Sequence, residues 1–306
     1  MIHEFTPFDV DYSAYSDPKV LNVSQAEFYT TFYDKYLGVH DDLIVTKKNL
    51  GKEQSGLYDI WCYDFKPYGA KKKVLISSGM HTYEMPASFG LARWIQEFME
   101  SNEEVFAYLR QNVYFSVIPI VNPWGFNHNP KTYGNSNGVN PARNFNDWNN
   151  AWENFPVYTP EQNEWNVKGS APFSEAEVKV LSNWMKNNTD AEFYIDCHTG
   201  VGCPRGQYGD VWCIYLSDNP LAQQILTAAS ALGDRLAEVY DVQPQMHTVA
   251  DTPDVINQRY SLKVVGIPCV TIEQAQGSDT IYTTVPNNSS VSITEYATQV
   301  HAYLIS

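Results

Sequence analysis

Apolar residues follow two alternating patterns along this chain: short continuous runs and longer stretches with helical spacing. The short runs predict strands at residues 56–65, 74–77, 113–121, 192–196, 211–216 and 268–272. The helical spacing predicts helices at residues 25–37, 86–99, 175–187, 221–240 and 292–304. Because strands alternate with helices, we predict an α/β fold: a single domain with a mixed, mostly parallel β-sheet and helices on both faces.

The 306 residues contain no internal repeat, low-complexity run or linker that would separate two domains. Residues 1–40 are interpreted as an N-terminal helical extension packed on the main domain, which spans residues 41–306. Ser24 is the predicted N-cap of the helix in that extension. Residues 122–170 form a long polar stretch, and a loop of that length in a compact domain usually has a function.

The composition narrows the class of protein. Hydrophobic residues make up 43% of the chain and charged residues 18%, which allows a large core. The formal net charge is −15, so nucleic acid and anionic membranes are not expected partners. No apolar stretch is long enough to span a bilayer and no secretory signal is visible, so a cytoplasmic location is expected by default. Five scattered cysteines exclude a full disulfide framework.

Side chains with metal-binding or acid–base chemistry follow three of the predicted strands. His81 and Glu84 come directly after the second predicted strand. His198 follows the fourth strand, and Glu273 ends the sixth. In sheets of this kind, ligand-binding and catalytic residues lie just beyond the carboxyl ends of the strands. We therefore expect these four side chains at one edge of the sheet.

Two imidazoles and one carboxylate form the three-ligand set of a catalytic zinc site with an open fourth position. The spacing of His81 and Glu84 lets both side chains converge from a turn that enters a helix, and His198 would supply the second nitrogen. Zinc in such a site lowers the pKa of a water toward about 7 and polarises a carbonyl group. Proton transfer needs a further carboxylate, for which Glu273 is the candidate. The sequence thus predicts one Zn²⁺ per chain in a hydrolase.

Five short segments occur in a recognisable order. They are Gly-Met-His-Thr-Tyr-Glu at 79–84, Ile-Pro-Ile-Val-Asn-Pro-Trp-Gly at 118–125, Gly-Val-Asn-Pro-Ala-Arg-Asn-Phe at 138–145, Asp-Cys-His-Thr-Gly at 196–200 and Thr-Ile-Glu at 271–273. This order resembles the zinc carboxypeptidases and the related zinc deacylases, over roughly residues 43–300. The resemblance implies a zinc carboxypeptidase-like fold and a metallocarboxypeptidase that removes C-terminal residues from peptides, with cell-wall peptides among the candidates. It also implies the following roles: zinc ligands His81, Glu84 and His198, and general base Glu273.

The segment around Arg143 carries substrate recognition in this resemblance. Arg143 and Asn144 are implied as substrate-binding residues, and the planar guanidinium of Arg143 would grip a terminal carboxylate. The family's usual Asn–Arg pair is Ala142 and Arg143 here, and its usual Asp that supports a zinc histidine is Asn140. An amide oxygen can still accept a hydrogen bond from an imidazole, although it makes the ligand less basic than a carboxylate does.

Two further family roles have no clear match. The arginine that polarises the scissile carbonyl is missing, and Lys131 and Tyr133 are the candidates near its position. Tyr260 is the best-placed candidate for a tyrosine that caps the substrate, and a core position is an equally good interpretation. These departures leave a zinc-dependent deacylase or amidase of small N-acyl amino acids as the alternative. The expected partner is therefore a peptide or an N-acyl amino acid.

Two readings from other classes are disfavoured. The segment 134–138 matches the Gly-x-Ser-x-Gly elbow of serine hydrolases, with Ser136 as nucleophile, but its flanks are polar where a strand and a helix are required. A non-catalytic peptide-binding protein would have no use for a base such as Glu273 beside the metal.

Overall fold

The computed structural model describes residues 23–70, 72–82, 84–128, 132–146, 151–201, 211–214, 218–240, 248–249, 257–276, 297 and 300–305. The strands in this part of the chain form one sheet. They are β1 (Gly38–Val39), β2 (Leu43–Lys52), β3 (Asp59–Pro67), β4 (Lys72–Ser78), β5 (Val113–Ile118), β6 (Phe193–Val201), β7 (Val211–Ile214), β8 (Thr248–Val249) and β9 (Cys269–Gln276).

The order of the strands is β1-β2-β3-β5-β4-β6-β9-β7-β8. The four central strands β5, β4, β6 and β9 run parallel to one another, and β7 and β8 are also a parallel pair. The remaining neighbours are antiparallel. The predicted α/β fold with a mixed sheet is confirmed, and the longest run of parallel strands forms the centre of the sheet.

Helices connect the strands and cover both faces. They are α1 (Gln25–Phe32), α2 (Met85–Glu100), α3 (Glu104–Asn112), α4 (Pro123–Asn127), α5 (Ala151–Asn154), α6 (Pro160–Asn163), α7 (Ala176–Lys186), α8 (Ala222–Tyr240) and α9 (Asn257–Arg259). A π-helical turn at Tyr260–Val265 continues α9, and residues 300–305 are helical.

Two buried clusters lie on opposite faces of the central strands because successive side chains of a strand point in opposite directions. In β4, Val74 and Ile76 belong to the first cluster, whereas Leu75 belongs to the second. Helices α1, α2, α3 and α8 contribute to the first cluster, and α7 and the π-helical turn contribute to the second. Burial on both faces fixes the sheet rigidly, which suits it to hold a site at one edge.

Helix α1 is integrated into the first cluster. Ser24 caps it as predicted, with its side chain accepting a hydrogen bond from the Glu27 amide. The Phe28 ring is fully buried, and its centroid lies 5.2 Å from that of Phe89 and 5.4 Å from that of Phe126. Residues 1–22 of the predicted extension lie outside the described residues, and the division at residue 40 stays a prediction.

The structure corrects several element boundaries. The helix predicted at 25–37 ends at Phe32 and continues as a 3₁₀ turn. The fourth and sixth predicted strands continue beyond their polar residues, so His198 lies within β6 and Glu273 within β9. The physical reason is the parallel pairing of β6 with β9, which runs from Tyr194 to Val201 without a break.

In its described residues, the long polar stretch 122–170 contains α4, α5, α6 and two 3₁₀ turns at Pro141–Arg143 and Glu164–Asn166. The predicted loop therefore includes several short helical turns. No helix in the described part of the chain combines the length and the apolar character that a bilayer crossing requires.

Candidate metal centre

A tight turn after β4 delivers the first two side chains of the site. Gly79 has a positive φ of 65°, and a Cβ atom there would lie 3.0 Å from the Ile120 Cα atom, so the turn requires glycine. His81 follows in the turn, and Glu84 is the N-cap residue of α2. The Glu84 amide donates a hydrogen bond to the His81 carbonyl, which brings the two side chains to the same side of the turn.

Three predicted side chains converge at this point. The Nδ1 atom of His81 lies 2.9 Å from Glu84 Oε1, and the Nδ1 atom of His198 lies 2.9 Å from Glu84 Oε2. The two Nδ1 atoms are 3.1 Å apart. All three side chains are buried, and together they could hold a metal ion. The backbone amide of Thr199 also donates to Glu84 Oε2, which orients the carboxylate.

The outer nitrogen of each imidazole has a polar partner. His81 Nε2 lies 2.9 Å from Asn140 Oδ1, and His198 Nε2 lies 2.8 Å from Asp196 Oδ2. Because each oxygen accepts a hydrogen bond, each Nε2 carries the proton and each Nδ1 can present a lone pair to a metal. The family resemblance implied that Asn140 supports one of the two histidines, and the structure shows that this histidine is His81.

The carboxylates of Glu84 and Asp196 lie on either side of the His198 ring and favour a positive charge there. Burial raises the pKa of Glu84, but the adjacent imidazoles of His81 and His198 lower it more, to about 2. Burial likewise raises the pKa of Asp196, and the His198 imidazole outweighs this and lowers it below its usual value. Burial lowers the pKa of His198, whereas Asp196 and Glu84 raise it well above its usual value. A proton or a metal ion can supply the positive charge that both carboxylates stabilise.

The geometry of these three side chains fits zinc. Tetrahedral zinc, with bonds of about 2.0–2.1 Å, keeps its ligand atoms roughly 3.3 Å apart. The separations of 2.9–3.1 Å between the Nδ1 and carboxylate atoms are close to that value. The donor set of two nitrogens and one carboxylate is also the set found in catalytic zinc sites.

Asp196 is a site residue that the sequence reasoning did not assign. It is fully buried, and it accepts hydrogen bonds from Ser77 Oγ at 2.7 Å and Asn257 Nδ2 at 2.5 Å. Asn257 also donates to the Tyr194 hydroxyl. A signal existed in the sequence: Asp196 precedes His198 by two residues in a strand, which places both on one face.

Glu273 lies at the matching position of the neighbouring strand. Its backbone pairs with that of His198 on one side and with that of Trp212 on the other. The side chain of Glu273 lies outside the described part of the structure. Its predicted role as the base therefore stays a prediction.

Arg143 and Asn144 lie on the 3₁₀ turn that follows Asn140. Arg143 is half-buried, and its Nε atom donates to Asn166 Oδ1 at 3.1 Å. Asn144 is fully buried; its amide nitrogen donates to Lys168 O, and its oxygen accepts from the Glu175 amide. Through these hydrogen bonds the Asn144 side chain connects the 3₁₀ turn to residues 168 and 175 and stabilises this part of the polar stretch. Direct contact of either residue with a substrate stays a prediction.

The candidates for the two unmatched roles lie in different surroundings. Tyr133 is buried against the metal site, with its ring centroid 4.8 Å from that of His81. Lys131 lies outside the described residues. Tyr260 is buried in the second core cluster, packed on Phe145 and Phe173, which favours the core interpretation of this residue.

The serine-hydrolase reading is wrong. Ser136 lies in a turn between Gly134 and Gly138, with no strand directly before this turn and no helix directly after it in the described residues. A nucleophile elbow needs both, because the serine must stand on a strained strand-to-helix turn.

Comparisons with known proteins concern the family and the fold. The profile of a family described as zinc carboxypeptidase matches residues 44–301. Carboxypeptidase A from Helicoverpa armigera superimposes with a TM-score of 0.62 and 15% identity, over 92% of this chain and 70% of that one. A metallo-carboxypeptidase from Burkholderia cenocepacia gives 0.61 and 16%, over 92% and 69%.

Bovine thrombin-activatable fibrinolysis inhibitor, solved with a tick carboxypeptidase inhibitor, gives a TM-score of 0.62 and 14% identity, over 95% of this chain and 100% of that one. At such identities these likenesses show the fold alone. No curated protein matches the sequence.

Proposed function

The chain belongs to the zinc carboxypeptidase family, and from this premise we propose that it is a zinc-dependent hydrolase that removes residues from the carboxyl end of peptides. Cell-wall peptides are one candidate class of substrate. The observation that carries the proposal is the convergence of the His81 and His198 Nδ1 atoms on the Glu84 carboxylate, each within 2.9 Å of one of its oxygens.

The residues around this point have separable tasks. His81, Glu84 and His198 would hold the zinc ion, which would supply Lewis-acid chemistry: a lower pKa for a bound water and a polarised carbonyl group. Asn140 and Asp196 orient the two imidazoles from the far side of each ring. Their buried contacts keep the Nδ1 atoms aimed at one point, so that little reorganisation is needed when a cation binds.

We assign proton transfer to Glu273. The support is its register: the backbone of Glu273 is paired with that of His198, one strand away from the ligand. A carboxylate there would take a proton from the attacking water and pass it to the leaving nitrogen.

We propose that Arg143 binds the terminal carboxylate of the substrate. The support is that Arg143 follows Asn140, the partner of His81, by three residues on a turn that Asn140 itself caps. A guanidinium stays charged at any physiological pH and binds a carboxylate through two parallel hydrogen bonds. With Ala142 beside it, this one side chain carries that recognition.

A substrate panel with mass-spectrometric detection tests the proposal. We expect zinc-dependent loss of single residues from the carboxyl end of free-acid peptides and no turnover of the same peptides with a C-terminal amide. The variant Arg143→Ala should lower kcat/KM on free-acid peptides at least about tenfold, since it loses a charge-assisted hydrogen bond. Both proteins should be equally poor on amidated peptides.

Other outcomes identify the alternatives. Cleavage of small N-acyl amino acids, with peptides longer than two residues ignored, would make the protein a deacylase. Equal cleavage of amidated and free-acid peptides would remove Arg143 from its assigned role and indicate an amidase or endopeptidase. Turnover that survives a chelator would overturn the zinc assignment altogether.

A further inference from the structure

Asn140 makes hydrogen bonds in two directions at once. Its Oδ1 atom accepts from His81 Nε2 at 2.9 Å and from the Ala142 backbone amide at 2.9 Å. Its Nδ2 atom donates to the backbone carbonyl of Trp165 at 2.7 Å. The backbone partners fix the orientation of the amide, because Ala142 N–H can only donate and Trp165 C=O can only accept.

Trp165 is in ring contact with Tyr133, which in turn contacts His81 edge-on at the candidate metal site. Its ring centroid lies 4.4 Å from that of Tyr133, and the Tyr133 centroid lies 4.8 Å from that of His81. Tyr133 is buried, whereas Trp165 remains 39% exposed. We call Tyr133 and Trp165 the aromatic wall. Its exposed end offers a large flat apolar surface two rings away from a metal ligand.

Only an amide can make the bonds that Asn140 makes. A carboxylate at this position could accept from His81 and from Ala142, but it has no donor for the Trp165 carbonyl, and the two oxygens would repel each other. The nearby segment is held by one more bond from this residue, from the Asn140 backbone amide to the Val167 carbonyl. The side-chain bond is therefore the one that an Asn-to-Asp exchange removes.

We propose that Asn140 is a positioning residue that locks the aromatic wall to the metal ligand His81, and that the wall binds a large apolar or aromatic side chain next to the cleaved bond. The substrate part rests on the proposed function, whereas the lock itself does not. Arg143 supports the same arrangement, since its Nε atom donates to Asn166 in the segment that carries Trp165.

The variant Asn140→Asp tests the lock, because it keeps the acceptor for His81 and loses the donor to Trp165. Its matched control is Asn188→Asp, which adds the same charge and removes an equivalent bond, from Asn188 Nδ2 to the Trp184 carbonyl, far from the site. Zinc affinity, measured by chelator competition, should stay within about threefold of wild type or tighten in Asn140→Asp, and it should stay within about threefold in the control.

Hydrogen exchange reads out the lock without any turnover. In Asn140→Asp, backbone amides in the peptide covering residues 160–168 should exchange at least about fivefold faster than in wild type, with or without zinc. The control variant should exchange there like wild type. Unchanged exchange in Asn140→Asp would overturn the lock, and a loss of zinc affinity beyond tenfold would show that Asn140 acts on the metal alone.

Kinetics test the substrate part. Peptides with Phe beside the cleaved bond should show a KM raised about tenfold in Trp165→Ala, with kcat within about threefold, whereas peptides with Ala there should be unaffected. Asn140→Asp, whose kcat can change through His81, should raise the ratio of KM for the Phe peptide to KM for the Ala peptide by about the same factor, and this ratio should not rise further in the Trp165→Ala background. An additive effect, or equal losses on both peptides, would overturn this part of the proposal.

These experiments distinguish a failure of the proposed function from a failure of the positioning role of Asn140. If wild type cleaves no peptide, the proposed function fails while the exchange and zinc measurements still decide the lock. If Asn140→Asp does not fold, Trp165→Ala, at a half-exposed position, decides the wall by itself: unchanged KM on both peptides contradicts it.

Discussion

The two histidines of the metal centre receive unequal support from their neighbours. A buried carboxylate, Asp196, accepts from His198, whereas the Asn140 amide accepts from His81. A carboxylate makes an imidazole a stronger donor to the metal than an amide does. As a proposed zinc ligand, His81 would therefore be the weaker donor of the two, and the Asn140 amide makes a second hydrogen bond, to the backbone carbonyl of Trp165.

Glu273 is the residue whose exchange most directly separates chemistry from metal binding. Glu273→Gln keeps the shape of the side chain and removes the proton acceptor, so turnover should fall about 10²–10⁴-fold. Metal analysis should still find one zinc per chain. Glu192→Gln, an exposed position near the start of the neighbouring strand, is the control and should match wild type. Loss of zinc from Glu273→Gln would make Glu273 a ligand, and near-normal turnover would place the base elsewhere.

Glu177 links the stability of the protein to pH. It is fully buried, and its oxygens accept hydrogen bonds from the Gln54 amide and from Asn135. Burial raises its pKa from 4.5 to about 7, more than these hydrogen bonds lower it. A carboxyl with a higher pKa in the folded state binds its proton more tightly there. The preference of the folded state for the protonated Glu177 carboxyl therefore adds to the free energy of unfolding at low pH. This addition decreases as the pH rises from about 4.5, the usual pKa, to about 7, the pKa in the folded state.

We therefore expect wild type to lose about 2 kcal/mol of unfolding free energy between pH 5 and pH 8 relative to Glu177→Gln. Denaturant titrations at both pH values measure the difference. The exposed Glu104→Gln serves as the control and should follow wild type. Identical pH dependence of wild type and Glu177→Gln would contradict the prediction.

At the scale of elements, α1 tests whether the segment before the family match is part of the domain. Phe28→Ala removes a fully buried ring from the first core cluster and should lower the free energy of unfolding by about 3–5 kcal/mol. Tyr108→Ala, which removes a ring that is 58% exposed on α3, should stay within about 0.5 kcal/mol of wild type. If the two variants unfold alike, α1 is an independent extension.

Two of the elements that the sequence pattern missed, β2 and α3, bury few apolar side chains. Strand β2 becomes polar after its first residues, with Lys47, Lys48 and Lys52 along its length, and short α3 buries Phe106 and Leu109. The buried central strands were predicted because continuous apolar runs identify them. Their ends were not, since hydrogen-bonded pairing extends β6 and β9 through polar residues that a hydrophobicity pattern reads as loop.

The candidate site also has a part that the sequence could predict and a part that it could not. His81, Glu84 and His198 could be found because metal-ligand chemistry is readable from residue type and position. The bond from Asn140 to the Trp165 carbonyl could not, since it depends on how a segment of short helical turns folds back over the sheet edge. Side chains that bind backbone groups leave no periodic pattern in a sequence.

For the whole molecule, metal binding should couple to stability. The proposed ligands come from two segments of the chain that meet only in the folded state. Zinc at a free concentration of about 1,000 times its Kd should add roughly 4 kcal/mol to the free energy of unfolding. Thermal scans should show a rise in Tm of about 5–10 °C. The double variant His81→Ala/His198→Ala should show no rise, whereas His128→Ala, outside the set, should respond like wild type.

The strand order also determines when this site is complete during synthesis. The three proposed ligands follow β4 or lie in β6, and they all precede β9 in the chain, although β9 is the direct neighbour of β6 in the sheet. Ribosomes add about 5–20 residues per second. A nascent chain therefore has its whole set of metal ligands for roughly 4–15 s before Glu273 is made. During that interval the proposed base and the strand beside β6 are both absent, so the candidate site is complete only after β9 has been made.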